Sequence, residues 1–198
     1  MVEISATMVK ELRERSGVGI MDCKEALKEC NGDMEKASDY LRKKGLATAQ
    51  KRAGRVASDG TIQSYIHMGG KIGVLVEVNC ETDFVAKTDG FQEFVKNIAM
   101  HIAAASPLGV VPEDITQDVI DREKEIYKAQ ALEMGKPENM LDKIIDGKMS
   151  KFYKESCLMD QPYVRDPSKT ITDILNEMIG KTGEKITINR FARFQIGR

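Results

Sequence analysis

The sequence predicts an α+β protein, and three observations carry that prediction. Residues 5–45 hold three short runs with apolar residues at helical spacing, separated by Ser16-Gly17-Val18-Gly19 and Asn31-Gly32. Ile72, Val74, Val76 and Val78 then alternate as in a half-buried strand, and Gly69-Gly70 joins that strand to an alternating run before it. Two long amphipathic runs flank Gly135-Lys136-Pro137, the pattern of an antiparallel αα-hairpin. The expected architecture is an amino-terminal three-helix bundle, then a three-stranded antiparallel sheet with helices packed on one face, and a protruding antiparallel αα-hairpin.

In the bundle, Ser5 or Thr7 caps the first helix, and Met8, Val9 and Leu12 form its apolar edge. The second helix runs from Met21 to Cys30 with Cys23, Ala26, Leu27 and Cys30 on one face. Asp33 caps the third, which turns Met34, Ala37 and Leu41 inward and stops at Gly45. Residues 1–46 are expected to form one domain, 47–58 a partly helical basic linker, and 59–198 the core domain.

In the core, Ile62, Ile66 and Met68 alternate on the first strand. After the valine strand, Thr82 or Thr88 starts a helix carrying Phe91, Phe94, Val95, Ile98 and Ile102, which breaks at Pro107, Gly109 and Pro112. The hairpin covers about residues 116–159, with Val119, Ile126, Ala131 and Met134 on one helix and Leu141, Ile145, Met149 and Phe152 on the other. Asp166-Pro167-Ser168 opens a last helix. A final strand places Ile186, Ile188, Ala192, Phe194 and Ile196 on one parity.

Composition narrows the function classes. The chain has 198 residues, 41% hydrophobic and 31% charged, with net charge −1, which argues against a mainly electrostatic hold on nucleic acid or membrane. No basic-then-apolar leader opens it, and the most apolar helix contains His101 and is too short to span a bilayer. Four cysteines without a CxxC spacing read as reduced thiols of a cytoplasmic protein, and two histidines argue against a His-rich metal site. No tryptophan and few aromatics leave no stacking platform for single-stranded nucleic acid.

No catalytic motif is present: there is no GxSxG, HExxH, P-loop or GxGxxG after a strand. Glu81 and Asp83 could pair for acid–base work, but no His, nucleophile or metal ligand stands near them in sequence. The basic tract from Lys43 to Arg55 could bind RNA phosphates, although its dilution by alanine and glycine reads better as a solvated basic face. Thr82-Asp83-Phe84-Val85 is where the valine strand hands over to a helix, a place where proteins put residues that act on something else. Phe84 has two readings there: a ring pushed into a partner protein, or a core residue. Residue chemistry leaves both open. The expectation is a non-enzymatic interaction protein.

Two stretches then resemble a known family. Residues 13–27 (RERSGVGIMDCKEAL) and 77–87 (EVNCETDFVAK) are similar to the two signature stretches of bacterial elongation factor Ts, and the similarity continues through Gly135-Lys136-Pro137, Gly147-Lys148, Gln161-Pro162 and residues 191–194 (FARF). The resemblance implies a guanine-nucleotide exchange factor for elongation factor Tu, with no metal, nucleotide or other cofactor of its own. It implies an amino-terminal domain like ubiquitin-associated domains, whose Ile20, Met21 and Lys24 touch the GTPase domain. It implies that Thr82, Asp83, Phe84 and Val85 insert between helices of that domain and disturb the bound Mg²⁺, while the sheet side and the last strand reach a second domain. Longer members carry a duplicated core and a carboxy-terminal extension. This chain looks like the short form, so two chains are expected to associate in a 2:2 complex, with Phe191 and Arg193 as the candidate dimer surface.

Overall fold

The computed structural model describes residues 4–197. The reading of residues 1–3 as free of a leader, and the outer ends of the expected segments 1–46 and 59–198, lie outside the described residues. The fold is α+β, as expected. Strands β1 (Asp59–Ile66), β2 (Ile72–Cys80) and β5 (Thr187–Gln195) form an antiparallel sheet in the order β1-β2-β5. A second, two-stranded sheet joins β3 (Pro162–Tyr163) to β4 (Asp166–Thr170). The chain divides into two compact units. One takes the chain up to Thr61, with Val78–Val95 and Asp173–Thr187; the other takes Ile62–Glu77, Lys96–Thr172 and the chain from Ile188 onward.

The first unit begins with α1 (Ala6–Ser16), α2 (Ile20–Glu29) and α3 (Met34–Arg52). Ser5 accepts from the Met8 amide at 3.2 Å, and the Asp33 carboxylate accepts from the Glu35 and Lys36 amides, so both start signals operate as local chemistry requires. Val9, Leu12, Cys23, Ala26, Leu27, Ala37 and Leu41 form the bundle core. A fully buried Leu of this kind stabilises by about 1.5–3 kcal/mol relative to an exposed one.

Helix α3 does not stop at Gly45. Gly45 is buried where α8 (Ile171–Thr182) crosses it, and a Cβ on Gly180 would lie 3.1 Å from the Gly45 Cα. The glycine permits close helix packing rather than ending a helix. The basic tract is largely committed within the chain. Arg42 pairs with Asp173 at 2.9 Å, Lys44 with Asp22 and Glu25 at 2.9 and 2.6 Å, and Arg52 and Arg55 with Glu81.

In the second unit, Gly69 and Gly70 take φ values of 87° and 69° and turn β1 into β2, as the glycine pair predicts. The parity of β2 is also as expected: Val74 and Val76 are buried, and Leu75 faces outward. Ile62, Ile66 and Met68 are not inward. They are exposed, and Thr61, Gln63 and Tyr65 take the more covered parity. Ile66 lies against Gly73, where a Cβ would come within 3.1 Å of its Cδ1.

Strand β5 breaks its expected single parity. Ile186 and Ile188 are buried, whereas Phe194 and Ile196 are exposed. Arg190 and Asn189 donate to the outward Glu77, while Arg193 turns inward and donates from Nε and Nη2 to the Ala103 carbonyl at 3.3 and 3.1 Å. Phe191 is half-buried, so the outer apolar face is carried by Phe194 and Ile196 instead of Phe191 and Arg193.

Helices α6 (Gln117–Glu133) and α7 (Leu141–Ser156) form the expected antiparallel hairpin, with Lys148 over the Tyr127 ring at 5.1 Å. Ala131, Leu141 and Met149 are buried, but Ile126 and Met134 are exposed: the inward stripe of α6 follows Ile120, Tyr127 and Ala131. Residues 166–168 do not open a helix. They belong to β4, because the Asp166 carboxylate accepts from the Ser168 amide and hydroxyl instead of capping a helical turn.

Helix α5 (Asp89–Ala105) buries His101 completely. The Val164 amide donates to His101 Nδ1 at 3.3 Å, which leaves Nε2 to donate to Gln161 Oε1 at 2.9 Å; Gln161 in turn donates to the Glu155 carbonyl. A second proton on the ring would set two donors face to face. Burial likewise lowers the His101 pKa below its ordinary 6.5. The folded chain therefore holds its full stabilisation above that value and loses it as pH falls, since the unfolded chain takes up a proton that the folded chain refuses. Thermal melts between about pH 7.5 and about pH 5 should show a falling Tm in the wild type and a visibly flatter profile in His101→Gln.

Candidate functional site

Strand β2 ends at Cys80, and within two residues the chain enters α4 (Asp83–Ala86), a single turn of helix capped by Thr82. The Thr82 hydroxyl oxygen accepts from the Val85 amide at 3.4 Å. Ala86 points into the core, which turns the opposite side of the short helix outward. Phe84 lies on that side and is 81% exposed. Val85 is half-buried, and Asp83 pairs with Lys87 at 2.6 Å, which holds its carboxyl below the usual carboxylate range. Phe84 is therefore not a core residue.

The turn is braced from behind. The Glu184 carboxylate accepts from the Glu81 and Thr82 amides, both at 3.1 Å, and from the Thr82 hydroxyl at 2.6 Å. The Glu81 carboxylate accepts from the Lys185 amide at 2.6 Å and from Arg55 and Arg52 at 3.0 and 3.3 Å; the Lys185 amide and the two guanidiniums keep it ionised below its ordinary range. Lys185 Nζ donates to the Ala53 and Arg55 carbonyls. On the far side, Gln92 donates to the Ala86 carbonyl and Thr88 to the Val85 carbonyl. The Cys80 thiol donates to the Thr82 carbonyl and its pKa is raised by burial; burial also pushes the Cys157 thiol up to about 11, so neither is poised as a nucleophile.

A second exposed cluster lies in the bundle. Ile20, Met21 and Lys24 occupy the first turns of α2, all exposed, with Met21 at 75%. Ile20 and Lys24 border a cleft of about 400 Å³ shared with Ile4, Val9, Lys10 and Arg13. Cys23 and Ala26 face the opposite way and anchor the helix, so the exposed trio is set by amphipathic spacing. Among the described residues, no three His, Cys, Asp or Glu side chains are placed to hold a metal ion, and no helix is long and apolar enough to cross a membrane. Glu81 and Asp83 do not form a carboxylate pair: each is tied to its own cations.

A family model described as Elongation factor TS matches residues 34–198. The chain belongs to the elongation factor Ts family. An elongation factor Ts from Desulfosudis oleivorans is 64% identical over 194 residues, covering 98% of this chain and 98% of the relative. One from Syntrophobacter fumaroxidans is 63% identical over 196 residues, covering 99% and 98%, and one from Geobacter sulfurreducens is 61% identical over 196 residues, covering 99% and 91%. Membership in the elongation factor Ts family makes the chain a translation elongation factor.

The sequence located the presented turn of this elongation factor Ts chain but not its brace. Glu184 stands 102 residues from Thr82, and no local pattern marks it. The one available signal is its place in the Gly183-Glu184-Lys185 connection between a helix and a strand, since functional residues concentrate on loops. Exposure of Phe84 has a stability consequence. Phe84→Ala should change the unfolding free energy by less than about 0.5 kcal/mol, whereas Phe91→Ala, at a fully buried ring, should cost about 3–5 kcal/mol; urea denaturation of the two variants measures both.

Proposed function

We propose that this chain is the guanine-nucleotide exchange factor for elongation factor Tu, and that the Thr82–Val85 turn is the part that acts. The observation that carries the reading is the exposed Phe84 ring on a turn whose capping Thr82 is itself held by Glu184. Phe84 enters the partner between helices of its GTPase domain. Asp83 biases the region that holds Mg²⁺ and the phosphates, and Thr82 and Val85 fix the entry angle. Ile20, Met21 and Lys24 make a separate contact with the same domain. Residues 1–46 serve as that contact module, 47–58 as the connection, and 59–198 as the core.

Such a factor makes and breaks no covalent bond, needs no cofactor of its own, and works in the cytoplasm. It binds the empty GTPase more tightly than the GDP-loaded one, and linkage requires that GDP weaken the factor's hold by the same factor. A coupling of about 10⁴-fold takes about 5.5 kcal/mol of differential contact. A desolvated aromatic anchor can supply about 2 kcal/mol or more of it, and displacing the Mg²⁺ shell removes a further hold on the β-phosphate. RNA binding through the basic tract is not favoured, because Arg42, Lys44, Arg52 and Arg55 are already paired with carboxylates.

We further infer a homodimer and a 2:2 complex. Ile62, Ile66, Leu75, Phe194 and Ile196 leave an apolar sheet face uncovered in the second unit, and a second copy of the same face is its natural cover.

Two measurements test these readings. Release of labelled GDP from elongation factor Tu should slow at least about 30-fold with Phe84→Ala, the rate equivalent of about 2 kcal/mol; an unchanged rate would remove the turn from the mechanism. Sedimentation at micromolar concentration should give a dimer for the wild type and a monomer for Phe194→Glu, and a monomeric wild type overturns the 2:2 arrangement.

A further inference from the structure

We infer that Glu184 is a positioning residue for nucleotide exchange, holding the Thr82–Val85 turn in the shape that presents Phe84. The inference rests on the reading that this turn acts on elongation factor Tu.

The geometry starts at the end of β2. The Glu81 and Thr82 amides leave the strand after Cys80, and one oxygen of Glu184 takes both at 3.1 Å. The other oxygen takes the Thr82 hydroxyl proton at 2.6 Å. That proton is then committed, so the hydroxyl oxygen turns a lone pair to the Val85 amide and caps α4. A single carboxylate thus fixes both the backbone before the turn and the cap of the turn itself. Its own place is fixed as well: the Glu184 amide donates to Thr182 Oγ1 at 3.3 Å, and the next residue, Lys185, is tied to Glu81, Ala53 and Arg55.

Phe84 needs this help. An exposed ring has no packing of its own to set its direction, and a helix of four residues is far below the length that is stable alone. The ring's position is therefore inherited from the backbone beneath it. If the carboxylate is removed, the turn samples other shapes and the competent fraction falls. The apparent affinity for the partner falls by that same fraction, while the rate within the assembled complex changes less. Glu184 acts through Thr82 and touches neither nucleotide nor Mg²⁺.

The test is a double-mutant cycle on GDP release from elongation factor Tu, with full concentration dependence for each variant of the full chain. Glu184→Ala should raise the half-saturating concentration about tenfold, with the maximal rate held within about threefold. Glu184→Gln keeps one oxygen for the two amides and should fall between wild type and Glu184→Ala. Hydrogen exchange at the amides of Glu81, Thr82 and Val85 should speed at least about tenfold, with the amides of the bundle core unchanged. In a Phe84→Ala background the same Glu184→Ala change should shift exchange activity by less than about twofold.

An effect of equal size in both backgrounds would mean that Glu184 acts elsewhere and overturns this inference alone. So would an unchanged half-saturating concentration in Glu184→Ala. A Phe84→Ala chain with normal exchange overturns both this inference and the function it rests on. Where Glu184→Ala does not fold, the isosteric Glu184→Gln carries the same comparisons in both backgrounds.

Discussion

Two amides emerge where strand β2 ends, and the Glu184 carboxylate receives both. That constraint organises the rest of the site. A buried strand end with unpaired N–H groups would be costly, at about 1–3 kcal/mol per group. Satisfying them with a charged acceptor fixes the chain direction at Thr82, and the one-turn helix follows from its cap. Glu81, the residue between, faces the other way and draws in Arg52, Arg55 and the Lys185 amide. Glu81 and Glu184 thus each accept from a different set of donors and knit three separate parts of the chain together.

This arrangement explains how an apolar ring can stay outside the core. Phe84 contributes little to folding where it stands, so the stability of the first unit comes from the bundle core, from the α3–α8 packing and from the fully buried Phe91. The ring stays exposed to solvent, and in the proposed function a partner that covers it would return that cost. The ion pair of Asp83 with Lys87 is exposed and adds little to stability. It does hold the carboxylate ionised in one place, which in the proposed function would leave less ordering to binding.

Legibility in the sequence divided along the range of the interaction. Ser5 and Asp33 cap helices through bonds to residues three or fewer away, so both helix starts could be read directly. The β2 alternation and the Gly69-Gly70 turn are likewise local. Gly45 misled because its reason lies 135 residues on, at Gly180, where two helices approach too closely for side chains. Asp166 misled because one carboxylate can cap a helix or close a local turn with Ser168, and the strand pairing decided between them. Along β5 the parity shifts at Asn189 and Arg190, two consecutive exposed residues that both donate to Glu77. At the site, the position of Thr82–Val85 was visible as a change of period. Its exposure was not, since a Phe after a strand suits a core and a docking surface equally, and its brace was not, since it comes from the far end of the chain.

Helix α3 is also a rod. It carries Ala37 and Leu41 in the bundle core near one end and Arg52 against Glu81 at the other, unbroken at Gly45. Nineteen helical residues span about 28 Å, and a helix of that length bends little compared with a flexible linker. The exposed first turn of α2 and the Phe84 turn are therefore mounted on one stiff bar. For a partner that touches both, the first contact delivers the second at high effective concentration, with no chain to be searched or ordered between them. Stiffness also makes the pair a gauge. A partner whose two docking points change their spacing as it loads or empties its ligand fits the bar in one state and strains against it in the other, so distance itself becomes part of the recognition.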